Sequence, residues 1–388
     1  MKTKHQLYLI AFFAITSLLS GCKEPKKEDP QPSKKPLEVK TTFDSTNFTS
    51  NALTQTKVIN QLILLTDEAK KARKEGVEIK SSDLKTLFNN GNPSLANVIT
   101  DYYKQLLELA GGYFDEIAKA SGKLYTPSNE ITGEGGVYGT GSSAYLFDEN
   151  GLEIEQMIEK GQFGAVLYKH LVDLSKEEIT LAKVDQMLAI YGAHPIFANS
   201  GSSKIVFNQR DKGLANYAAR RDKNDGLGLY SQIKNQFLKL QAAVKDGSEY
   251  NEEKNASIEE IKLLIEKVNF ATVVNYCFAV KATMSKTEAT TNEKAAALHA
   301  YGECVGFVHG WRNLQMGAKK IKDSEIDEIL ELLNASPGKI PTSYLFITSP
   351  FTELPKLDQI INKIKTLYGF SDSEIEGFKS NWVSIQGR

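Results

Sequence analysis

Residues 53–75 have the sequence LTQTKVINQLILLTDEAKKARKE, whose apolar side chains recur every three or four positions. Val58, Ile59, Leu62 and Leu65 therefore share one face of a helix. The same period runs through most of the chain after residue 43 and predicts further helices. The predicted helices cover 53–75, 95–121, 154–171, 177–191, 211–218, 227–245, 257–284, 292–314, 324–333, 354–367 and 373–383. We expect an all-α fold, arranged either as one helical bundle or as two lobes of residues 43–200 and 201–388.

The glycine-rich stretch 122–151 interrupts this pattern. Its glycines lie close together ahead of the apolar segment 144–148. They are Gly133, Gly135, Gly136, Gly139 and Gly141. We expect a loop or hairpin insertion that ends in a turn at Asp148-Glu-Asn-Gly151. No GxxxxGK[ST] motif is present, so a surface loop is favoured over a phosphate-binding loop.

The amino-terminal residues have the order of an export signal. A basic head, Met1-Lys2-Thr3-Lys4-His5, precedes an apolar run at 7–19. This order is typical of a secretory signal peptide, which we assign to residues 1–21. The run has about 13 residues, whereas a helix needs about 20 to cross a bilayer. No later segment was expected to be long and apolar enough to span a membrane.

The segment after the apolar run resembles the lipobox of bacterial lipoproteins. It ends in Leu19-Ser20-Gly21-Cys22, in which small residues precede a cysteine that would receive fatty acyl chains such as palmitate. The next residues, KEPKKEDPQPSKKP at 23–36, are rich in proline and charge. Such a composition predicts an extended tether, which we place at 22–42. We expect a helical domain at 43–388, held at the outer membrane by lipid on Cys22, on its periplasmic or its cell-surface side.

The charge balance narrows the choice of partners. The chain has 47 Lys and Arg against 48 Asp and Glu, a formal net charge of −1. Nucleic-acid binding without base contacts needs a large basic field, so we expect no nucleic-acid partner. The membrane, through the lipid anchor, is the expected partner, together with a small molecule, a metal ion or an envelope protein.

Two cysteines remain in the predicted domain, Cys277 and Cys304. If they lie on antiparallel helices joined near 285–290, their offset along the helices is roughly 9 Å, too long for a disulfide. The sequence therefore favours two buried thiols.

Several motifs resemble a family of bacterial lipoproteins of uncharacterised function, domain of unknown function 4856. The similarity covers nearly all of the predicted domain. Its motifs are YLFDENG at 145–151, IEKG at 158–161, GAVLY at 164–168, IYG at 190–192, Tyr217 with RRD at 220–222, HAYGE at 299–303 with Phe307, and YG at 368–369. The resemblance implies an all-helical lipoprotein. More distantly, the chain resembles the imelysin group, helical-bundle envelope proteins associated with iron uptake and, in some members, with peptidase activity.

One segment departs from that family. The family pattern HxWDEAFGYFG corresponds here to AKVDQMLAIYG at 182–192. Gln186 takes the place of the glutamate, and Lys183 or Ala182 the place of the histidine, so Asp185 is the acid that remains. Any metal chemistry that the resemblance implies at this segment is therefore in doubt.

His299 and Glu303 are the first candidate site residues. They are four residues apart on a predicted helix and so share a face, where they could bind a metal ion or form an acid–base pair. A zinc site needs three or four ligands, and Asp185 or His194 could complete it. A structural helix pair is the alternative, and no HExxH motif is present.

Tyr217, Arg220 and Arg221 are the second set of candidates. An arginine pair beside a tyrosine could bind an anion through bidentate hydrogen bonds, although a salt-bridged helix surface has the same composition. No serine, cysteine or histidine lies in a recognisable enzyme motif.

Three functions follow from these features. The first is a non-enzymatic binding or uptake lipoprotein whose ligand lies between helices. The second is an imelysin-like metal-binding protein or metal-dependent peptidase that uses His299 and Glu303. The third is a scaffold for other envelope proteins. No cofactor is required by the sequence, although a metal ion is compatible with it.

Overall fold

Helices dominate the computed structural model, which describes residues 34–128, 134–315 and 317–388. The α-helices are α1 (Phe48–Asn51), α2 (Leu53–Lys70), α3 (Ser81–Asn89), α4 (Leu95–Val98), α5 (Asp101–Glu108), α6 (Tyr113–Ala120), α7 (Ile154–Glu159), α8 (Lys169–Leu174), α9 (Leu181–Tyr191), α10 (Gly213–Arg221), α11 (Leu229–Asp246), α12 (Asn251–Met284), α13 (Thr291–His309), α14 (Asp323–Leu332), α15 (Leu345–Thr348), α16 (Pro350–Tyr368), α17 (Asp372–Phe378) and α18 (Trp382–Gln386). The prediction of an all-α fold is confirmed. The predicted signal peptide and Cys22 lie outside the described residues.

The glycine-rich insertion contains a small hairpin, as predicted. Strands β1 (Gly136–Tyr138) and β2 (Tyr145–Phe147) pair antiparallel, with Gly136 opposite Phe147. Gly139 has a φ of +86°, and a Cβ there would lie 2.1 Å from the Ser143 carbonyl oxygen. Only glycine allows this close approach at the tip of the hairpin.

Helix α12 lies at the centre of the body. It packs against α10, α11, α13, α16 and α17, and many of its apolar side chains are buried. Leu37–Arg388 forms one compact unit, in which residues of both predicted lobes pack together. By length and composition, Ser248–Met284 could cross a membrane, which corrects the expectation that no later segment could. However, 67% of its most apolar window is buried, as in the core helix of a water-soluble body.

The helix predicted over 95–121 is instead three short helices, α4, α5 and α6. Thr100 has an extended backbone, which separates α4 from α5. Its amide donates to the carbonyl oxygen of Ala165, in a distant part of the chain, at 3.0 Å. The second helix, α5, ends at Glu108 because Leu109 has an extended backbone, and Gly111, with a φ of +73°, lies in the turn before α6. The apolar period continued through both breaks, so periodicity alone missed them.

The helix predicted over 154–171 is also divided. After α7, residues Phe163–Tyr168 form a π-helix that leads into α8. The Ala165 carbonyl oxygen within it accepts the amide of Thr100. An external partner of this kind disturbs the regular helical ladder and favours the wider turn. Helix α3 was not predicted, and α12 begins at Asn251 rather than near Ser257.

Candidate functional site

A cleft of about 720 Å³ opens between α5, α6 and the end of α13. The cavity beside Asp185 is smaller, at about 200 Å³. Tyr102, Tyr113 and His309 form the polar inner wall of the cleft. Further polar or charged residues also line it, namely Gln105, Glu116, Asp148, Glu149, Asn150, Ser336 and Lys339. Its apolar lining is Leu106, Leu109, Leu152, Val305, Ala335, Pro337, Ile340 and Pro341. The size of the cleft, and an apolar surface beside grouped polar side chains, are those of a small-molecule site.

The two loops of the cleft are shaped by local hydrogen bonds. Asp148 Oδ1 accepts the backbone amides of Asn150 at 2.9 Å and Leu152 at 2.7 Å, which orders the predicted turn. On the opposite loop, the Thr342 amide donates to the Asn334 carbonyl oxygen at 3.0 Å and closes residues 335–341. The Tyr344 amide donates to the Asn150 carbonyl oxygen at 3.0 Å, so the two loops are joined.

His309 lies at the inner wall of the cleft, between two tyrosines. Its Nε2 is 2.6 Å from the Tyr102 hydroxyl oxygen, and its Nδ1 is 3.3 Å from the Tyr113 hydroxyl oxygen. Burial lowers the pKa of His309 to about 4, and the charge of Arg312 lowers it further in the same direction. The imidazole is therefore neutral near pH 7 and carries one hydrogen.

This arrangement leaves one hydroxyl hydrogen for a ligand. Whichever nitrogen of His309 carries the hydrogen, one tyrosine donates to the ring and the other accepts from it. The guanidinium of Arg312, which can only donate, interacts with the Tyr102 hydroxyl and favours Tyr102 as the donor to Nε2. Tyr113 then accepts from Nδ1, and its own hydrogen is free to donate into the cleft.

The predicted pair His299 and Glu303 does come together, in a partly buried network of charges. His299 Nε2 lies 3.6 Å from Glu303 Oε2, and His299 Nδ1 lies 2.6 Å from Glu153 Oε2. The ring of Tyr145 stacks on the imidazole at 4.2 Å between centroids. Burial alone would lower the pKa of His299, but Glu153 and Glu303 raise it above its usual value.

Basic side chains neutralise these carboxylates. Arg73 Nη2 lies 3.0 Å from Glu153 Oε1, and Lys160 Nζ lies 3.3 Å from Glu303 Oε1. Burial alone would raise the pKa of Glu153, but His299 and Arg73 hold it below its usual value. Both ring nitrogens of His299 thus face carboxylates that have cationic partners of their own.

The other two metal candidates lie elsewhere. Asp185 Oδ2 accepts the side-chain amide of Asn51 at 2.7 Å. The His194 amide donates to Asp211 Oδ1 at 2.8 Å, and its Nδ1 accepts the Ile196 amide at 3.3 Å. The structure does not bring either residue to His299 and Glu303. Within residues 34–128, 134–315 and 317–388, no three His, Cys, Asp or Glu side chains are grouped in a way that could hold a metal ion.

The anion candidates are separated as well. The Tyr217 hydroxyl donates to Glu303 Oε1 at 3.3 Å, so a carboxylate already takes its hydrogen. The Arg220 guanidinium carbon lies 5.0 Å from the centre of the Tyr217 ring. Arg221 is buried and donates to the Phe378 carbonyl oxygen at 2.9 Å, toward α17. The three side chains do not converge on one anion.

The prediction of two buried thiols is confirmed, although its distance argument is wrong. Cys277 and Cys304 are both free and fully buried. Their sulfur atoms lie 3.9 Å apart, because α12 and α13 bring the two residues face to face.

Sequence reasoning missed the cleft and the acidic half of the buried network. No sequence motif singled out Tyr102, Tyr113 or His309 as site residues. The sequence contains no clear signal for the network. Glu153, Glu155 and Glu159 lie among Gln156, Lys160 and Gln162, the composition of an ordinary amphipathic helix.

Comparisons with protein-family models, with curated proteins and with solved structures found no match to this chain.

Proposed function

We propose that this protein is a lipid-anchored binding protein of the outer membrane whose cleft takes a small, largely apolar ligand with a hydrogen-bond acceptor. The cleft around Tyr102, Tyr113 and His309 is the observation that carries the proposal. The anchor rests on the Leu19-Ser-Gly-Cys22 motif, in residues that the structure does not describe.

The apolar character of the ligand follows from the rim of the cleft. Leu109 is 60% exposed and Ile340 is 77% exposed, and both line the opening. A ligand that covers these two side chains removes apolar surface from water, at about 25 cal/mol per Å². The ligand's acceptor follows from the Tyr113 hydroxyl hydrogen, which a carbonyl or ether oxygen of the ligand can accept.

Metal-dependent hydrolysis has less support. Its candidate pair, His299 and Glu303, is partly buried, and Glu153 and Lys160 already contact the two side chains. A third ligand from Asp185 or His194 would need α9 or the loop after it to move. We therefore propose binding rather than catalysis.

A fluorescent naphthalene with a carbonyl group, prodan, tests the cleft directly. We expect one saturable site in the purified wild-type protein. Leu109→Asp is expected to weaken binding by about tenfold or more, since it places a charge on the apolar rim. Leu64→Asp is the matched control, because Leu64 is 58% exposed on α2, away from the cleft. An absence of saturable binding, or equal losses in both variants, contradicts the proposal.

A second comparison tests the acceptor. Dimethylaminonaphthalene has the same ring system as prodan without its carbonyl group. We expect the wild type to prefer prodan by about fivefold to tenfold, the effect of about one hydrogen bond. Tyr113→Phe should abolish this preference while it retains the binding of the carbonyl-free compound. An unchanged preference in Tyr113→Phe would remove Tyr113 from the site.

The anchor has its own test. Mass spectrometry of the amino terminus from native cells should find Cys22 acylated, and Cys22→Ser should leave the membrane fraction. An unmodified terminus with unchanged membrane association refutes the anchor and leaves the cleft proposal standing.

A further inference from the structure

Three separate segments meet at one end of the body: 196–210, 222–228 and 382–388. The Asn224 side-chain amide donates to the Gly201 carbonyl oxygen at 3.1 Å. The Arg388 guanidinium donates to the Asp222 carbonyl oxygen at 2.9 Å, and the Gln386 side chain to that of Lys223 at 2.8 Å. We call the surface of these three segments the loop face.

The loop face exposes large apolar side chains. Phe207 is 84% exposed and Leu227 is 78% exposed. Ile196, Val206 and Ile385 are each more than half exposed, at 53%, 54% and 64%. Apolar groups brought together on one surface in this way mark a site of interaction with another apolar phase or partner.

The charges around these side chains are mostly positive. Within the three segments, Lys204, Arg210 and Lys223 are exposed, against Asp225 as the exposed acid. The chain as a whole has a net charge of −1, so the excess is local. Apolar side chains surrounded by lysine and arginine are typical of a surface that lies on an anionic bilayer.

One side chain near the start of the body reaches the edge of the loop face. The ring of Phe43 packs edge-on against that of Phe197, with 6.5 Å between centroids. Phe197 directly follows Ile196, an exposed residue of the loop face. Cys22 precedes Phe43 by 43 − 22 = 21 residues. Fully extended, 21 residues span at most about 70 Å, which is long enough for the loop face to reach the bilayer that holds the lipid.

We propose that the loop face is a second membrane contact, which seats on a bilayer containing anionic phospholipid. This inference rests on the anchor of the proposed function, which brings the body to the bilayer. Phe207 and Leu227 enter the interfacial region of the bilayer, and the basic side chains contact lipid phosphates. Two contacts, a lipid and a surface, hold the protein in one orientation.

Labelling the full-length lipidated protein tests this orientation. Phe207→Cys and Phe351→Cys each accept an environment-sensitive nitrobenzoxadiazole label, whereas Cys277 and Cys304 are buried. Phe351 is the matched control, since it is 96% exposed at the start of α16. Helix α16 has 19 residues and is about 28 Å long. From its other end the chain continues through α17 to the loop-face segment 382–388.

The labelled proteins are reconstituted into vesicles of phosphatidylethanolamine and phosphatidylglycerol that carry nitroxide-labelled lipid. We expect a blue shift and strong quenching of the label at 207, with neither at 351. Replacing phosphatidylglycerol with phosphatidylcholine, or introducing Lys204→Glu with Arg210→Glu, should reduce quenching at 207. A label at 207 that stays in water, or equal quenching at both positions, overturns the inference.

The outcomes also separate the inference from the anchor. Failure of the anchor appears as protein that does not float with the vesicles after reconstitution. Failure of the inference appears as vesicle-bound protein whose label at 207 remains in water. A label at 207 that is shielded in native envelopes but not in vesicles indicates a protein partner, and this result also overturns the inference.

Discussion

His309 Nε2 lies 2.6 Å from the hydroxyl oxygen of Tyr102, although the two residues are 207 positions apart in the chain. The contact joins α13 to α5 at the inner wall of the cleft. Because burial lowers the pKa of His309 to about 4, the unfolded chain binds a proton at this residue more readily than the folded one.

This pKa predicts how stability depends on pH. As the pH falls from about 6.5 to about 4, the unfolded state takes up the proton first, so stability is lost in this window. The loss due to His309 is about 3 kcal/mol at most. His309→Gln, which keeps an amide donor and acceptor but does not titrate, should show a smaller fall in urea midpoint over this range. Parallel curves for wild type and variant would contradict the prediction.

The buried ion pair of Glu153 should be essential for stability. Glu153→Gln leaves Arg73 and His299 without their shared carboxylate, and we expect a loss of about 3 kcal/mol in the free energy of unfolding. Glu68→Gln is the control, since Glu68 pairs with Lys71 at 2.6 Å on the surface. Its effect should stay below about 0.5 kcal/mol. Urea unfolding followed by circular dichroism measures both, and similar midpoints for the two variants would be evidence against a stabilising network.

Gly310 should tolerate no side chain. A Cβ there would lie 2.0 Å from the carbonyl oxygen of Gly161, so the two backbone segments would have to separate. We expect Gly310→Ala to cost about 3 kcal/mol or more. Gly201→Ala is the control, because its Cβ would have no neighbour closer than 3.4 Å. Thermal unfolding of the two variants compares them, and a wild-type melting temperature for Gly310→Ala would disprove the close contact.

The Asp148 turn should need an acceptor rather than a charge. Burial raises the pKa of Asp148 to about 7. Below that pH the folded carboxyl keeps its proton while the unfolded one loses it, so stability falls as the pH rises from about 3.8 to about 7. Asp148→Asn retains the acceptor and should flatten this slope with little loss, whereas Asp148→Ala should cost about 2 kcal/mol. Equal stability of the two variants, measured by urea unfolding, would argue against the role of the acceptor.

The two thiols should react only after unfolding. Cys277 and Cys304 are fully buried and free, so a thiol reagent such as dithionitrobenzoate should find neither in the native protein. In denaturant without reductant, both should react. Rapid reaction of the native protein would contradict their burial. Failure to react after denaturation would show that the two cysteines form a disulfide. Their sulfur atoms, 3.9 Å apart, are close enough for only a small movement to join them.

Local patterns predicted the parts of the molecule that depend on neighbours in the chain. The helical period of 53–75 predicted α2, and the glycines of 122–151 predicted the hairpin. The spacing of His299 and Glu303 predicted that they share one face of α13. The helix break at Thr100 and the π-helix around Ala165 were missed. The two are linked by one hydrogen bond, from the Thr100 amide to the Ala165 carbonyl oxygen. Such a partner cannot be identified from the period of either segment alone.

The sequence by itself therefore determined that the body is helical, that a hairpin interrupts it and that residues four apart on a helix lie together, since backbone geometry fixes these relations over a few residues. Only the tertiary structure decided which groups share a site. Glu153 meets His299 across 146 positions, and His309 meets two tyrosines of α5 and α6. Burial between packed helices then set their protonation, because the cost of a charge depends on the water and the partners around it.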